Sequence, residues 1–108
     1  MRNKARLFKI LSEVTRLNML ALLFHHTELT GGDFEQILGI SQSKASRHLQ
    51  HLLNAGLVVP RRESIFVFYR LARNLSPEKR IVISSARRVL VGRDVDLLCK
   101  RMKRVVSR

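Results

Sequence analysis

Phe34-Glu35-Gln36-Ile37-Leu38-Gly39-Ile40-Ser41-Gln42-Ser43-Lys44-Ala45-Ser46-Arg47-His48-Leu49-Gln50-His51-Leu52-Leu53-Asn54 is the stretch that decides how this chain is read. Phe34, Ile37 and Leu38 recur at helical spacing, and Gly39 is a residue free to take the left-handed conformation that closes a helix. Ile40-Ser41 leaves a tight link, and Ser41 is placed to cap a second helix running from about Gln42 to Asn54. In that helix Ala45, Leu49, Leu52 and Leu53 face inward. Ser43, Ser46, Arg47 and Gln50 follow i, i+3, i+4, i+7 spacing and share the opposite face with Gln42. These are short or forked polar groups able to reach base edges, and the face carries no carboxylate. Lys44 and the helix N-terminus suit a phosphate. A polar face by itself is equally a solvated face; the neighbouring helix, turn and basic hairpin turn the reading towards DNA.

Working outward, Leu7 to Phe24 carries two apolar stripes, Leu7, Ile10, Leu11, Val14 and then Leu17, Leu20, Ala21, Phe24. Ser12-Glu13 between them predicts a cap and hence two helices. Met19, Leu22 and Leu23 make the second apolar on most sides, the mark of a central buried helix. Thr30-Gly31-Gly32-Asp33 then offers a capping box for the third helix. Downstream of Gly56, which stops the fourth helix, Leu57-Val58-Val59 and Ile65-Phe66-Val67-Phe68-Tyr69 predict two strands of a hairpin with Pro60 to Ser64 between them. Arg61 and Arg62 are expected just before its tip, where a wing meets DNA backbone or minor groove; a solubilising turn is the plainer alternative. Ser76-Pro77 predicts the start of a fifth helical region reaching nearly to the end. Its β-branched runs weaken that helix locally, and Gly92 is expected to split it.

The expected fold is therefore mostly α with a small β-hairpin, a winged helix-turn-helix of order α-α-α-α-β-β-α. Residues 1–75 form the DNA-binding core and 76–108 a C-terminal helical dimerisation region. Val82, Ala86, Val89 and Leu90, continued by Val95, Leu98, Met102 and Val105, give more apolar surface than so small a domain covers alone. A homodimer through the terminal helices is expected.

Composition agrees. The 108 residues suffice for one domain, and 45% hydrophobic content is ordinary for a globular chain. Twenty-one Lys and Arg against eight Asp and Glu give a net charge of +13, a field that attracts polyanions. No apolar run reaches spanning length and no signal peptide opens the chain, so no membrane partner and a cytoplasmic location are expected. A single cysteine, Cys99, excludes an intrachain disulfide and a Cys-rich zinc site within one chain.

Other candidates are weaker. His25 and His26 are adjacent and point in different directions on a helix. His48 and His51 can share a face, but two imidazoles without carboxylate or thiol neighbours make a poor metal site. Cys99, among Leu97, Leu98 and Met102, reads as a core or interface residue; the sharper reading is a redox thiol with Lys100 and Arg101 lowering its pKa. No nucleophile, base and orienting group come together, so no enzyme is expected, and neither cofactor nor metal nor inducer is indicated.

Leu11-Ser12-Glu13-Val14-Thr15-Arg16-Leu17-Asn18-Met19-Leu20 resembles the second-helix entry of the ArsR/SmtB family of repressors. Ile40-Ser41-Gln42-Ser43-Lys44-Ala45-Ser46-Arg47-His48-Leu49 is similar to that family's recognition-helix motif. Asn54-Ala55-Gly56-Leu57-Val58 and Phe66-Val67-Phe68-Tyr69-Arg70-Leu71 resemble its wing strands. The resemblance implies a dimer on the terminal helices that binds an inverted-repeat operator and represses transcription. It places Ser43, Ser46 and Arg47 in the major groove and gives His48 a structural role. Val14 stands where the family has proline, and Ser64 where it has a wing-tip glycine. Thr30-Gly31-Gly32 replaces the family's thiolate metal motif, and the last helix offers Asp94 and Asp96 without histidine, so thiolate-type metal sensing does not carry over. An architectural or non-specific nucleic-acid binder, and a module docking an acidic protein, remain open beside the repressor.

Overall fold

Helix α1 (Val14–His25) runs through the centre of the domain, and Leu17, Met19, Leu20, Ala21, Leu22 and Leu23 are all buried. Burial on so many sides is why its apolar residues are not confined to one stripe. The protein is described by a computed structural model covering residues 9, 13–89 and 100–106, the side chains of 86–89 excepted. The first expected helix lies outside these residues apart from position 9, and so does Ser12. Glu13 occupies the N-cap of α1, but its side chain makes no capping hydrogen bond. The expected Ser12-Glu13 cap is corrected to that extent.

The chain leaves α1 at His26 and forms strand β1 (Leu29–Thr30), which the sequence did not announce. Helix α2 (Gly31–Leu38) follows directly, closed at its start by the expected capping box. Asp33 N–H donates to Thr30 Oγ1 at 3.1 Å, and Thr30 N–H donates to Asp33 Oδ2 at 2.9 Å. Phe34 and Ile37 are fully buried and Leu38 packs beside them. Gly39 ends α2 at φ +65°, and a Cβ there would touch nothing within 4 Å. Its glycine answers to backbone conformation, not to crowding.

Helix α3 (Gln42–Asn54) has Ser41 as its N-cap, the hydroxyl accepting from Lys44 N–H at 3.2 Å. Its end is a Schellman motif: Leu57 N–H returns to the Leu52 carbonyl at 3.1 Å and Gly56 N–H to Leu53 at 3.0 Å, with Gly56 at φ +72°. Strands β2 (Val58–Glu63) and β3 (Phe66–Leu71) pair antiparallel from Val58↔Leu71 to Glu63↔Phe66. Both are longer than expected. Pro60, Arg61, Arg62 and Glu63 belong to β2, and the turn shrinks to Ser64 and Ile65. Proline is tolerated because the strand order is β1-β3-β2, which leaves β2 at an edge. On its other side β3 pairs with β1 through Leu29↔Tyr69 and Thr30↔Phe68, so the wing is a three-stranded sheet rather than a bare hairpin.

Helix α4 (Pro77–Val89) starts as expected, Ser76 Oγ accepting from Lys79 N–H at 3.4 Å and proline holding the first position. It packs along α1. Val82 and Ile83 are buried in the common core, as is Met102 from the helical residues 100–105, with Val105 packed against it. Val82 and Met102 are thus already covered within the protomer, and Val105 is covered in part. Ala86, Val89, Leu90, Val95 and Leu98, and the expected break at Gly92, lie outside the described side chains.

Candidate nucleic-acid interface

The outer face of α3 is the centre of the candidate site. Alternation around the helix buries Ala45, Leu49 and Leu52 and turns Gln42, Ser43, Ser46, Arg47 and Gln50 to solvent; Lys44 is half-buried. Five of the six expected contacts on α3 are therefore exposed, and Lys44, in the first turn, is only partly so. Ser43 Oγ lies 3.4 Å from Ser41 Oγ, and the Gln50 amide donates to Asn54 Oδ1 at 2.9 Å. Arg47 makes no hydrogen bond or ion pair with another described residue, so its guanidinium is available to a ligand. No acidic side chain belongs to this face.

The two wing arginines differ sharply. Arg61 is held by carboxylates: Nε donates to Glu28 Oε2 at 2.7 Å, one terminal nitrogen to Glu28 Oε1 at 2.9 Å, and the other to Glu63 Oε2 at 2.9 Å. Its guanidinium also sits 4.8 Å from the centre of the Phe68 ring. The hydrogen bonds to Glu28 and then Glu63 raise its pKa further above the ordinary arginine value. Arg62 follows in the strand, exposed, with no such partner among the described residues. Beyond it the turn places Ser64 at φ +58° and Ile65 at the apex. The first central residue of mirror-image hairpin turns takes this conformation, which usually calls for glycine.

Sequence reasoning missed the underside of α3. His48 is 3% exposed and its Nδ1 accepts from Arg16 Nε at 3.1 Å, while Arg16 itself is buried. Burial first, and then the Arg16 charge, hold the His48 pKa below its ordinary value. His51 is exposed, so the expected common face of His48 and His51 does not exist. His25 is exposed, and His26 Nδ1 lies 2.9 Å from the Glu28 carbonyl oxygen, so those two diverge as expected. Among the described residues no three His, Cys, Asp or Glu side chains come together as metal ligands. No described helix is long and apolar enough to cross a membrane. Cys99, Asp94 and Asp96 lie outside the described residues.

A helix-turn-helix backed by a three-stranded wing defines the class of protein: a winged helix-turn-helix domain. Residues 13–59 match the family described as bacterial regulatory protein, arsR family. The chain is 41% identical over 70 residues to the arsenical resistance operon repressor of Escherichia coli (strain K12), covering 65% of this chain and 60% of that protein. Over 64 residues it is 41% identical to the arsenic resistance transcriptional regulator ArsR1 of Pseudomonas putida, 59% of this chain and 50% of that protein. The chain thus spans half to three-fifths of the length of these curated relatives. Among solved structures, reduced HlyU from Vibrio cholerae superposes with a TM-score of 0.69 at 33% identity, over 84% of this chain and 92% of that one. A homodimeric winged helix-turn-helix DNA-binding domain from Mycobacterium bovis gives 0.66 at 30% identity, over 82% and 78%. This chain belongs to the arsR family of bacterial regulatory proteins.

Proposed function

We propose that the chain is a sequence-specific double-stranded-DNA-binding regulator that represses transcription as a homodimer on an inverted-repeat operator. The observation that carries this is the outer face of α3, which presents Ser43, Ser46 and an unengaged Arg47 with no carboxylate among them. Arg47 pairs bidentately with a guanine in the major groove, the serines and Gln42 make shorter base-edge contacts, and Lys44 at the first turn takes a phosphate. Gln50 donates to Asn54 and keeps its amide oxygen for a donor. Arg62 meets backbone or minor groove from the wing, whereas Arg61 has its charge balanced inside the protein. Residues 1–75 read the DNA and 76–108 complete the dimer, in the cytoplasm where the chromosome is.

The family contains both signs of control: the Escherichia coli relative is named a repressor, and HlyU of Vibrio cholerae, 39% identical over 66 residues, a transcriptional activator. Repression is preferred here on the resemblance to the repressors. Thiolate-type metal sensing is not part of the proposal, because Thr30-Gly31-Gly32 forms the cap and first turn of α2 without a thiol. The second reading, a general nucleic-acid binder, is favoured by the +13 charge alone. Affinity for genomically selected fragments against random duplex at physiological salt separates the two. A regulator discriminates by about 10³-fold or more; equal affinities sink this reading.

A further inference from the structure

Among the described residues, the DNA-reading helix is fastened to the core by apolar contacts and by one directed side-chain hydrogen bond. Ala45, Leu49 and Leu52 bury themselves without angular preference, because hydrophobic contact is non-directional. The Arg16–His48 bond is different. It joins residues 32 apart in sequence, and it ties α3 to α1, the most deeply buried helix of the domain. A guanidinium only donates, so Nδ1 of His48 must be bare where it meets Arg16 Nε, and the proton of the neutral ring resides on Nε2. That Nε2 is buried and has no hydrogen-bond partner among the described residues.

We propose that His48 is a positioning residue for the DNA-reading helix: in its neutral form, with Nδ1 accepting from Arg16, it fixes the rotation of α3, and a proton on Nδ1 unfastens it. The inference rests on the DNA-binding function proposed above. His48 adjoins Arg47, so the fastening acts one residue from the group that reads a base. A helix with its side chains is about 10–12 Å across, and turning it by about 10° moves a surface group by about 1 Å. A bidentate arginine contact does not survive such displacements intact.

Protonation has little to compensate it. Among the described residues, the charged groups acting on His48 are Arg16 from α1, Glu13 at the cap of that helix, and Arg47 and Lys44 of α3 itself, three cations against one carboxylate. An imidazolium would present Nδ1–H to Arg16 Nε–H, donor against donor, and the bond would be lost.

The test compares the wild-type chain with His48→Asn on a selected operator fragment and on random duplex, from pH 8 to pH 5. The asparagine oxygen can take the place of Nδ1 as acceptor but does not titrate. Wild type and variant are expected to bind the operator within about threefold of each other at pH 8. Below the folded pKa the wild type should fall behind by up to about tenfold per protomer for each pH unit. His25, His26 and His51 are common to both proteins and cancel in the ratio, and circular dichroism at each pH establishes that both are folded. A wild-type to variant ratio that stays constant over this range overturns the proposal. Should neither protein prefer the operator at any pH, the DNA-binding reading falls and takes the proposal with it. The ¹⁵N shifts of the wild-type imidazole give an answer that needs no variant: a bare Nδ1 and a protonated Nε2 at pH 8 support the fastening, and the reverse tautomer refutes it.

Discussion

Arg61 grips Glu28 with two parallel hydrogen bonds, 2.7 and 2.9 Å long, across 33 positions of sequence. The pair ties the edge strand of the wing to the segment that leads into β1. A cation so engaged offers less to a phosphate than an unpaired one, and Arg62 beside it has no such carboxylate partner among the described residues. Arg62→Ala is therefore expected to weaken specific and random DNA by similar factors and to flatten the salt dependence by about one unit per protomer. Arg61→Ala should flatten it less. Binding constants over a salt series decide the matter, and equal changes of slope for the two variants would contradict it.

On α3 the expectation is of another kind. Arg47→Ala should cost about 1–3 kcal/mol on the operator and much less on random DNA, with preference relaxed at one base pair per half-site. The measurement is the pair of affinities at fixed salt. An equal loss on both duplexes would mean that this arginine reads no base.

The Thr30–Asp33 capping box predicts a loss of stability rather than of contact. Thr30→Ala should lower the unfolding free energy by about 0.5–2 kcal/mol, read from the urea midpoint with unchanged slope. Thr30→Ser, which keeps the hydroxyl, should recover most of it. A Thr30→Ala midpoint equal to wild type would show that the cap adds nothing to stability.

Acid should weaken the fold through His48. Its pKa is lowered in the folded protein, so below about pH 6.5, the unperturbed histidine value, the unfolded chain binds the proton more readily. Stability then rises with pH up to that point, and this residue adds no further slope above it. Urea unfolding at pH 5.5 and 7.5 should show a smaller acid loss in His48→Asn than in wild type. Equal losses would place the sensitivity elsewhere.

Relatives bearing arsenic resistance names make metal response the natural comparison. Arsenite, Zn²⁺ or Cd²⁺ at stoichiometric amounts is expected to leave the operator complex intact in a band-shift assay. Release by any of them would show that ligands are recruited outside the Thr30 to Gly32 turn.

Legibility in the sequence followed the range of the interaction. The Ser41 cap, the Gly39 stop, the Thr30–Asp33 box and the polar face of α3 are decided within a few residues, and reading along the chain found them. Strand β1 escaped because two residues carry no periodicity; only their pairing with Tyr69 and Phe68 makes Leu29 and Thr30 a strand. Pro60 was misleading for a related reason, since proline argues against a strand until an edge position is known. Arg16, His48 and the Arg61–Glu28 pair owe their environments to residues more than thirty positions away. Nothing local distinguishes such a buried arginine from an exposed one.

The shortness of β1 conceals its mechanical effect. Thr30 is at once the last residue of a strand held by Phe68 and the cap of α2, so the wing and the first helix of the DNA-binding pair share a residue. Three residues beyond α2 stands Ser41, the cap from which the reading helix starts. Wing and reading helix are thereby joined by Thr30, α2 and a three-residue link, a connection with few free backbone dihedrals. Under the proposed function, a duplex engaged by both is expected to do the accommodating, through groove width and bend, so that base pairs touched by no side chain enter the choice of site through the energy of deforming them.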